Sequence, residues 1–456
     1  PIVFSERTKY RSRSLYLEHK RATRILSLGL PIIGGMISQN ILNLVDTAMV
    51  GTLGDVALAA VGMGSFANFM SVAFLQGFST GVQAISARRK GELRLSESAA
   101  PLNAALVVVF AVGIPLSIFL SNASGFIFES LLDDRSVVEV GVSYFEIRVL
   151  GMTAIGINFA FRGFWNGVDL TRLYLQTIVV MHAANIFLNW VFIFGNLGAP
   201  QMGAPGAGLA SALSLYLGSL CYIYLGFKYG RDKGFLRRKI DWATTKVLLR
   251  LSVPSGVQLF LFATGLVVLF WIIGKIGTDS AAAATVLINV MLVAILPGVG
   301  FGLASMSLVG QAIGRRDIAD AYQWAWDVVK VATATLGAAG LLMALFPRVI
   351  LGVFLQEPDT LELACLPLVI FGLGIGFDGI GAVLMQSLLG AGAARKVMVV
   401  SVVLQWLFFL PLAYLVGPTL GFGLVGIWLI QTIYRALQAL VFVFLWRTKR
   451  WASIQI

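Results

Sequence analysis

One stretch, LSLGLPIIGGMISQNILNLVDTAMVGTLG from Leu26 to Gly54, limits what this chain can fold into. About 20 apolar residues are enough to cross a bilayer, and this run exceeds that. In hydrocarbon every backbone polar group must be satisfied within the segment, so the run is predicted to be an α-helix. Yet it carries a bare carboxylate, Asp46, well inside the apolar run. A charge there costs roughly 2.5–3.5 kcal/mol on insertion scales, and such residues mark proton, ion or substrate paths. Asn43, Gln39 and Gly35 precede Asp46 by three, seven and eleven residues, which puts all four on one helical face. The helix therefore has a polar stripe ending in an acid, and that stripe is expected to face protein or a water-filled cavity.

The same apolar pattern recurs along the chain. Of 456 residues, 58% are hydrophobic and 12% charged, against about 25% charged in soluble domains. The chain reads as an all-α integral membrane protein. Twelve spans are predicted, at 25–50, 57–86, 97–120, 138–165, 172–196, 206–228, 247–274, 281–312, 325–347, 364–390, 396–417 and 422–446. The net charge of +12 does not point to nucleic acid, because the basic residues sit in short blocks between apolar runs. Arg88, Arg89, Lys90 and Arg94 follow the second span, Arg315 and Arg316 the eighth, and Arg447, Lys449 and Arg450 close the chain. With twelve spans drawn, every block falls on one side. The positive-inside rule makes that side, with both termini, cytoplasmic. The first apolar run is a full span, longer than a signal-peptide core. Cys221 and Cys365 stand alone in apolar runs and are read as packing residues.

The two halves repeat. Pro31, Gly51 and Gly54 correspond to Pro254, Gly274 and Gly277, each pair 223 residues apart, and Arg88–Arg89 is answered by Arg315–Arg316. Because the first and seventh spans start on the same side, the repeat is parallel, with a pseudo-twofold axis along the membrane normal. Transporters built this way place their site between the halves and alternate access by rocking one against the other. The expected organisation is a basic N-terminal segment at 1–24, an N-lobe at 25–230, a connector at 231–246, a C-lobe at 247–447 and a tail at 448–456.

The runs NLVDTAMVGTLGDVALAAVGMG, NIFLNWVFIFGNLGAPQMGAPGAGLASALS (Asn185 to Ser214) and SLVGQAIGRRD resemble the multidrug and toxic compound extrusion (MATE) transporters of bacteria. The resemblance covers nearly the whole chain. It implies two six-helix lobes around a central cleft, and export of amphipathic organic cations in exchange for H⁺ or Na⁺. It also implies a monomer in the inner (plasma) membrane, with no cofactor beyond the coupling ion and no resident metal site.

By that resemblance Asp46 matches the N-lobe proton or sodium acid, while Asn185, Asn189 and Ser211 match the polar network around it. In some relatives the second of the two Asn positions is an acid; here it is an amide. Burial disfavours the charged form of a carboxylate, so Asp46 is suited to taking a proton on one side and losing it on the other. Asp378 matches a C-lobe acid, but the Glu that accompanies it in one branch falls at Phe262 here. With both second carboxylates missing, a site of hard oxygen ligands for Na⁺ is weakened, which favours H⁺. Met36, Gln39, Asn43, His182 and Phe262 are the candidate cleft residues, although His182 reads more readily as a packing histidine than as a proton carrier. Glu146, Arg148, Arg162 and Arg435 are read as structural charges.

Two other classes were weighed. A flippase for lipid-linked sugars needs a cavity lined with Arg and Lys, and the stripe on the first span is acidic and amide-rich. A membrane-embedded enzyme is opposed by the presence of only two His, by the lack of an HExxH motif, and by the placement of Asp46 and Asp378 on different lobes.

Overall fold

The computed structural model describes residues 18–131, 134–237 and 240–456. Most of the predicted basic N-terminal segment therefore lies outside the described residues. Among those described, the secondary structure is entirely helical. Eleven helical stretches are long and apolar enough to span a membrane, and a twelfth arises if one bent pair counts as a single span.

The N-lobe comprises α1 (His19–Gly51), α2 (Asp55–Gly91), α3 (Ala100–Leu131), α4 (Arg135–Val149), α5 (Met152–Gly167), α6 (Thr171–Phe194) and α7 (Ala204–Leu225). The C-lobe comprises α8 (Trp242–Gly274), α9 (Thr278–Ala294), α10 (Leu296–Gly314), α11 (Ile318–Leu345), a short α12 (Pro347–Gly352), α13 (Pro358–Gly390), α14 (Ala394–Val403), α15 (Leu410–Tyr414) and α16 (Gly423–Arg447). The predicted fourth span is the bent pair α4 and α5, which meet at 48°. Helix interruptions of this kind have local causes. Here the break falls at Leu150–Gly151, where Gly151 abuts Leu215 and Ala212 of α7. The eighth span breaks before Pro297, which starts α10 without an N–H to offer. The eleventh is wound through π-helical turns at Leu404–Phe409 and Leu415–Thr419.

Many helices overshoot the predicted spans. A helix of 33 residues, such as α1, is about 50 Å long, against roughly 30 Å of hydrocarbon, so its ends project into polar surroundings. Hydropathy sees only the middle. The two outlying segments are also more structured than a linker and a tail. In the connector, Phe235 is fully buried against Phe161 and Phe227, and Asn103 Nδ2 donates to the Gly234 carbonyl at 3.0 Å. At the C-terminus, Trp451 stacks on Trp446 with 4.1 Å between ring centres, and Arg88 donates to the Ile454 carbonyl. Cys221 and Cys365 are free and half-buried.

The pseudo-twofold appears in reciprocal contacts between the lobes. Gly91 at the end of α2 lies against the backbone of Gln311, and Gly314 at the end of α10 lies against the backbone of Arg88. Gly91 and Gly314 stand 223 residues apart, as do Arg88 and Gln311, so at the offset of the prolines Arg88 is matched by Gln311 and the Arg315–Arg316 doublet follows four residues later. A level deeper, Gly77 meets Gly256 while Gly300 meets Ile33, again two pairs of equivalents. At Gly91, Gly314 and Gly77 the opposing backbone leaves no room for a Cβ, while at Gly300 the space is taken by the Ile33 side chain.

Every hydrogen bond or ion pair between side chains of one lobe and groups of the other, among the described residues, lies at this same end, where the basic blocks are. Gln83 Nε2 donates to the Leu303 carbonyl and to Ser307 Oγ at 2.8 and 2.9 Å. Gln311 Nε2 bonds Asp169 Oδ1 at 2.8 Å, and Arg24 donates to Gln311 Oε1 at 2.9 Å. Arg21 joins Asp327 at 2.6 Å and Asp320 at 2.7 Å, with its guanidinium 3.6 Å from the Trp324 ring centre. The lobes are thus clamped at the basic end, and the space between them opens toward the other.

Candidate functional site

That space consists of two cavities, of about 600 Å³ in the N-lobe and about 250 Å³ in the C-lobe. They meet at Gln76 and Arg162, which line both.

On the N-lobe wall, the α1 stripe presents Gln39, Asn43 and Asp46 to the cavity, as helical spacing requires. Asn189 Nδ2 donates to Asp46 Oδ1 at 2.6 Å and to Asn185 Oδ1 at 3.0 Å. Asn185 Nδ2 in turn donates to Ser211 Oγ at 3.2 Å and Ser214 Oγ at 3.1 Å. Asn185 and Asn189 stand four apart on α6 and are buried behind the wall, so a relay of amides connects the carboxylate to α7. Asn189 Oδ1 is buried without a hydrogen-bond partner, an acceptor left open beside the acid. Among the described residues no carboxylate other than Asp46 lines this cavity; its charged neighbours are Arg148 and Arg162.

His182 does not line either cavity, contrary to its inclusion among the cleft residues. It is buried and lies 2.7 Å from Ser38 Oγ and 3.2 Å from Gln39 Oε1, so it acts by holding Gln39, which itself donates to Asn43 Oδ1 at 3.1 Å. Met36 and Phe262 line the C-lobe cavity.

Asp378 also lines the C-lobe cavity, but it is not the uncompensated acid expected from sequence. Arg435 on α16 lies 3.1 Å from its Oδ1. Around the pair stand Gln258, Gln386, Gln405 and Gln438, with Met385 and Tyr434. Apart from Arg162 at its junction with the N-lobe cavity, the C-lobe chamber is therefore balanced in charge and rich in amides.

Of the four charges read mainly as structural, Arg435 does form a buried ion pair, with Asp378, but the arginines are not structural alone. Glu146 accepts from Ser124 Oγ at 3.0 Å and takes no part in the cavities. The three arginines all line the cleft. The acidic and amide-rich stripe of the first span, which counted against the flippase, is thus only part of a lining that also holds these arginines. One signal could have exposed Arg162: Ile155, Asn158, Phe159 and Arg162 fall at helical spacing, and all four line the N-lobe cavity. The glutamines carried no such pattern, because they come from different helices.

Residues 31–191 and again 254–415 match the MatE family, and the two matches begin at the two equivalent prolines. The chain belongs to the MatE family. This is a family of transporters, so the protein is not an enzyme but a multi-pass membrane transporter. Among the curated relatives of this MatE chain, "Probable multidrug resistance protein NorM" of Thermotoga maritima is 27% identical over 433 residues, covering 92% of this chain and 91% of its own. "Multidrug resistance protein NorM" of Photobacterium profundum is 24% identical over 414 residues, covering 88% and 89%. A solved structure described as the outward-facing conformation of a multidrug resistance MATE family transporter superposes with a TM-score of 0.88 at 22% identity, covering 95% of this chain and 97% of that one. At that identity the likeness speaks for the fold.

Proposed function

We propose that this MatE protein is a proton-coupled multidrug exporter that expels amphipathic organic cations by alternating access, acting as a monomer in the inner membrane with both termini cytoplasmic. The observation that carries the reading is Asp46: a carboxylate on the wall of the larger cavity, with no ion-pair partner within 4.0 Å among the described residues and a single amide donor.

An ion drives transport only if it binds the two conformations with different affinity. With the cleft open to the outside, Asp46 takes a proton. This removes the charge that holds an organic cation, and it weakens the short bond from Asn189, which ties α1 to α6. Pro31 leaves the α1 ladder one bond short, so α1 has a point at which to flex when that tie loosens. Once the cleft opens to the cytoplasm, the proton leaves and the carboxylate is ready for the next cation.

Protons are favoured over Na⁺ by the donor set. A hard cation wants several oxygen ligands, while Asp46 is the one carboxylate of its cavity and Asp378 is engaged by Arg435. The open acceptor Asn189 Oδ1 is the one feature that suits Na⁺. The test is dye efflux from proteoliposomes under a pH gradient or a sodium gradient, imposed separately. Efflux driven by the pH gradient and lost in Asp46→Asn is the expected result. Efflux driven by sodium alone would overturn proton coupling, and unimpaired efflux in the variant would overturn the role of Asp46.

A further inference from the structure

A separate pocket lies outside the cleft, on the flank of the N-lobe at the basic end. It encloses about 520 Å³ between the start of α1, the turn from α5 into α6 and the residues that follow α7. Arg24 and Ser27 of α1, Asp169 of the turn, Arg172 and Gln176 of α6, and Tyr229 form its polar lining. It shares no lining residue with either cavity of the cleft.

Its charges do not cancel. The one carboxylate in the lining, Asp169, is already engaged: Lys90 Nζ lies 2.7 Å from its Oδ2, and Gln311 Nε2 donates to its Oδ1 at 2.8 Å. Arg24 reaches Asp169 only at 3.4 Å. The Arg172 guanidinium has no carboxylate within 4.0 Å and no hydrogen-bond partner among the described residues. The positive-inside rule accounts for basic residues at this end; it does not account for their closing round a pocket. A guanidinium fork matches the paired oxygens of a phosphate.

Apolar surface leads from this pocket toward the hydrocarbon. Leu30, three residues after Ser27, is exposed, as are Ile37 and Ile41. Helical spacing sets these three on the side of α1 away from the stripe of Gln39, Asn43 and Asp46. On α6, Val179 and Val180 follow Gln176 by three and four residues and are exposed, as is Phe187. The two helices pack together where Leu175 meets Gly34. Tyr229 supplies an aromatic ring of the kind that sits at headgroup level.

We propose that this pocket binds the phosphodiester headgroup of an anionic phospholipid, with Arg24 and Arg172 on the phosphate and the acyl chains along the exposed faces of α1 and α6. Basic pockets between spanning helices on the cytoplasmic side suit such headgroups. A zwitterionic lipid brings its own cation and leaves the excess charge of the pocket unanswered, whereas an anionic lipid neutralises it. A free phosphate gains the arginines but nothing from the apolar stripes.

Arg24 also donates to Gln311 across the lobes, so the test uses Arg172, which takes no part in the clamp. Native mass spectrometry of the detergent-solubilised full-length protein gives its affinity for phosphatidylglycerol and for phosphatidylcholine of matched chains. The wild type is expected to prefer phosphatidylglycerol. Arg172→Gln is expected to weaken that lipid about tenfold, the scale of one charge-assisted hydrogen bond, and to leave phosphatidylcholine unchanged, while Arg172→Lys keeps most of the preference. Arg450→Gln, which removes another exposed arginine at the same end, is expected to change neither affinity. No preference in the wild type, or an unchanged preference in Arg172→Gln, would overturn the proposal. So would equal losses in Arg172→Gln and Arg450→Gln, which would show a diffuse surface charge in place of a site. Displacement of the lipid by inorganic phosphate at the same concentration would assign the pocket to a free anion and overturn the lipid.

Discussion

Two intramembrane acids in this protein have opposite environments, and the difference comes from single neighbours. Asp46 has an amide donor; Asp378 has an arginine. A hydrogen bond to a charged group contributes about 1.5–3 kcal/mol, so Asn189→Ala is expected to cut pH-driven efflux about tenfold or more, read in the proteoliposome assay. At the other acid, removing one partner of a buried pair leaves an uncompensated charge, at a cost of about 3–5 kcal/mol. Arg435→Leu is therefore expected to lower the thermal midpoint markedly, and Arg435→Leu with Asp378→Asn to recover most of the loss. Equal midpoints for the single and double variants would show that the pair does not hold α13 to α16. This pairing was not legible in the sequence. Asp378 and Arg435 were each visible as intramembrane charges, but nothing in their spacing says that two helices bring them together. The Asp46 stripe was legible because it lies on one helix, where period alone decides the face.

At the scale of elements, the spans were the easiest feature to read, since an apolar run of bilayer length has one backbone solution. Their breaks were harder. The bend between α4 and α5 has no proline to announce it; it follows from the packing of Gly151 against α7. The inter-lobe crossings had a partial signal. The repeat offset marked Gly91 and Gly314 as equivalents, but not that each would lie on the other half's backbone. A methyl group at either position collides with main chain, which cannot rotate away as a side chain can. Gly91→Ala and Gly314→Ala are each expected to loosen the basic end. The readout is disulfide cross-linking between Ala87→Cys and Gly310→Cys, whose Cβ atoms would stand 3.0 Å apart in the clamped state, so that a small outward shift brings them to the roughly 3.5–4.5 Å of a disulfide. The cross-link is expected to form readily in the parent protein, to stop efflux until reduced, and to form less in either alanine variant. Undiminished cross-linking would mean that the crossing tolerates a side chain.

For the whole molecule, the relevant quantity is the balance between two openings. The clamp combines neutral backbone contacts with a charged cluster in which Arg21 of α1 bridges Asp320 and Asp327 of α11. Asp327 is the buried member of that cluster, at 3% exposure, so losing its charge is felt more than losing a surface pair. Asp327→Asn is expected to shift the equilibrium by about 2 kcal/mol, some thirtyfold, toward the form open at the basic end. Labelling of a single cysteine at Ala87 from that side would report it, and unchanged labelling would remove Arg21–Asp327 from the switching machinery.

The reciprocal glycine crossings carry a consequence for how such a protein can diversify. The outermost crossings, Gly91 on Gln311 and Gly314 on Arg88, are built from main chain, which is the same whatever side chains line the chambers above them. Substitutions among the glutamines, methionines and arginines of the cleft can therefore alter the cargo while the motion that delivers it is inherited intact. The repeat also gives each of these crossings a counterpart across the axis, so the two lobes contribute to the contact in the same way. Recognition is free to drift; movement is held fixed.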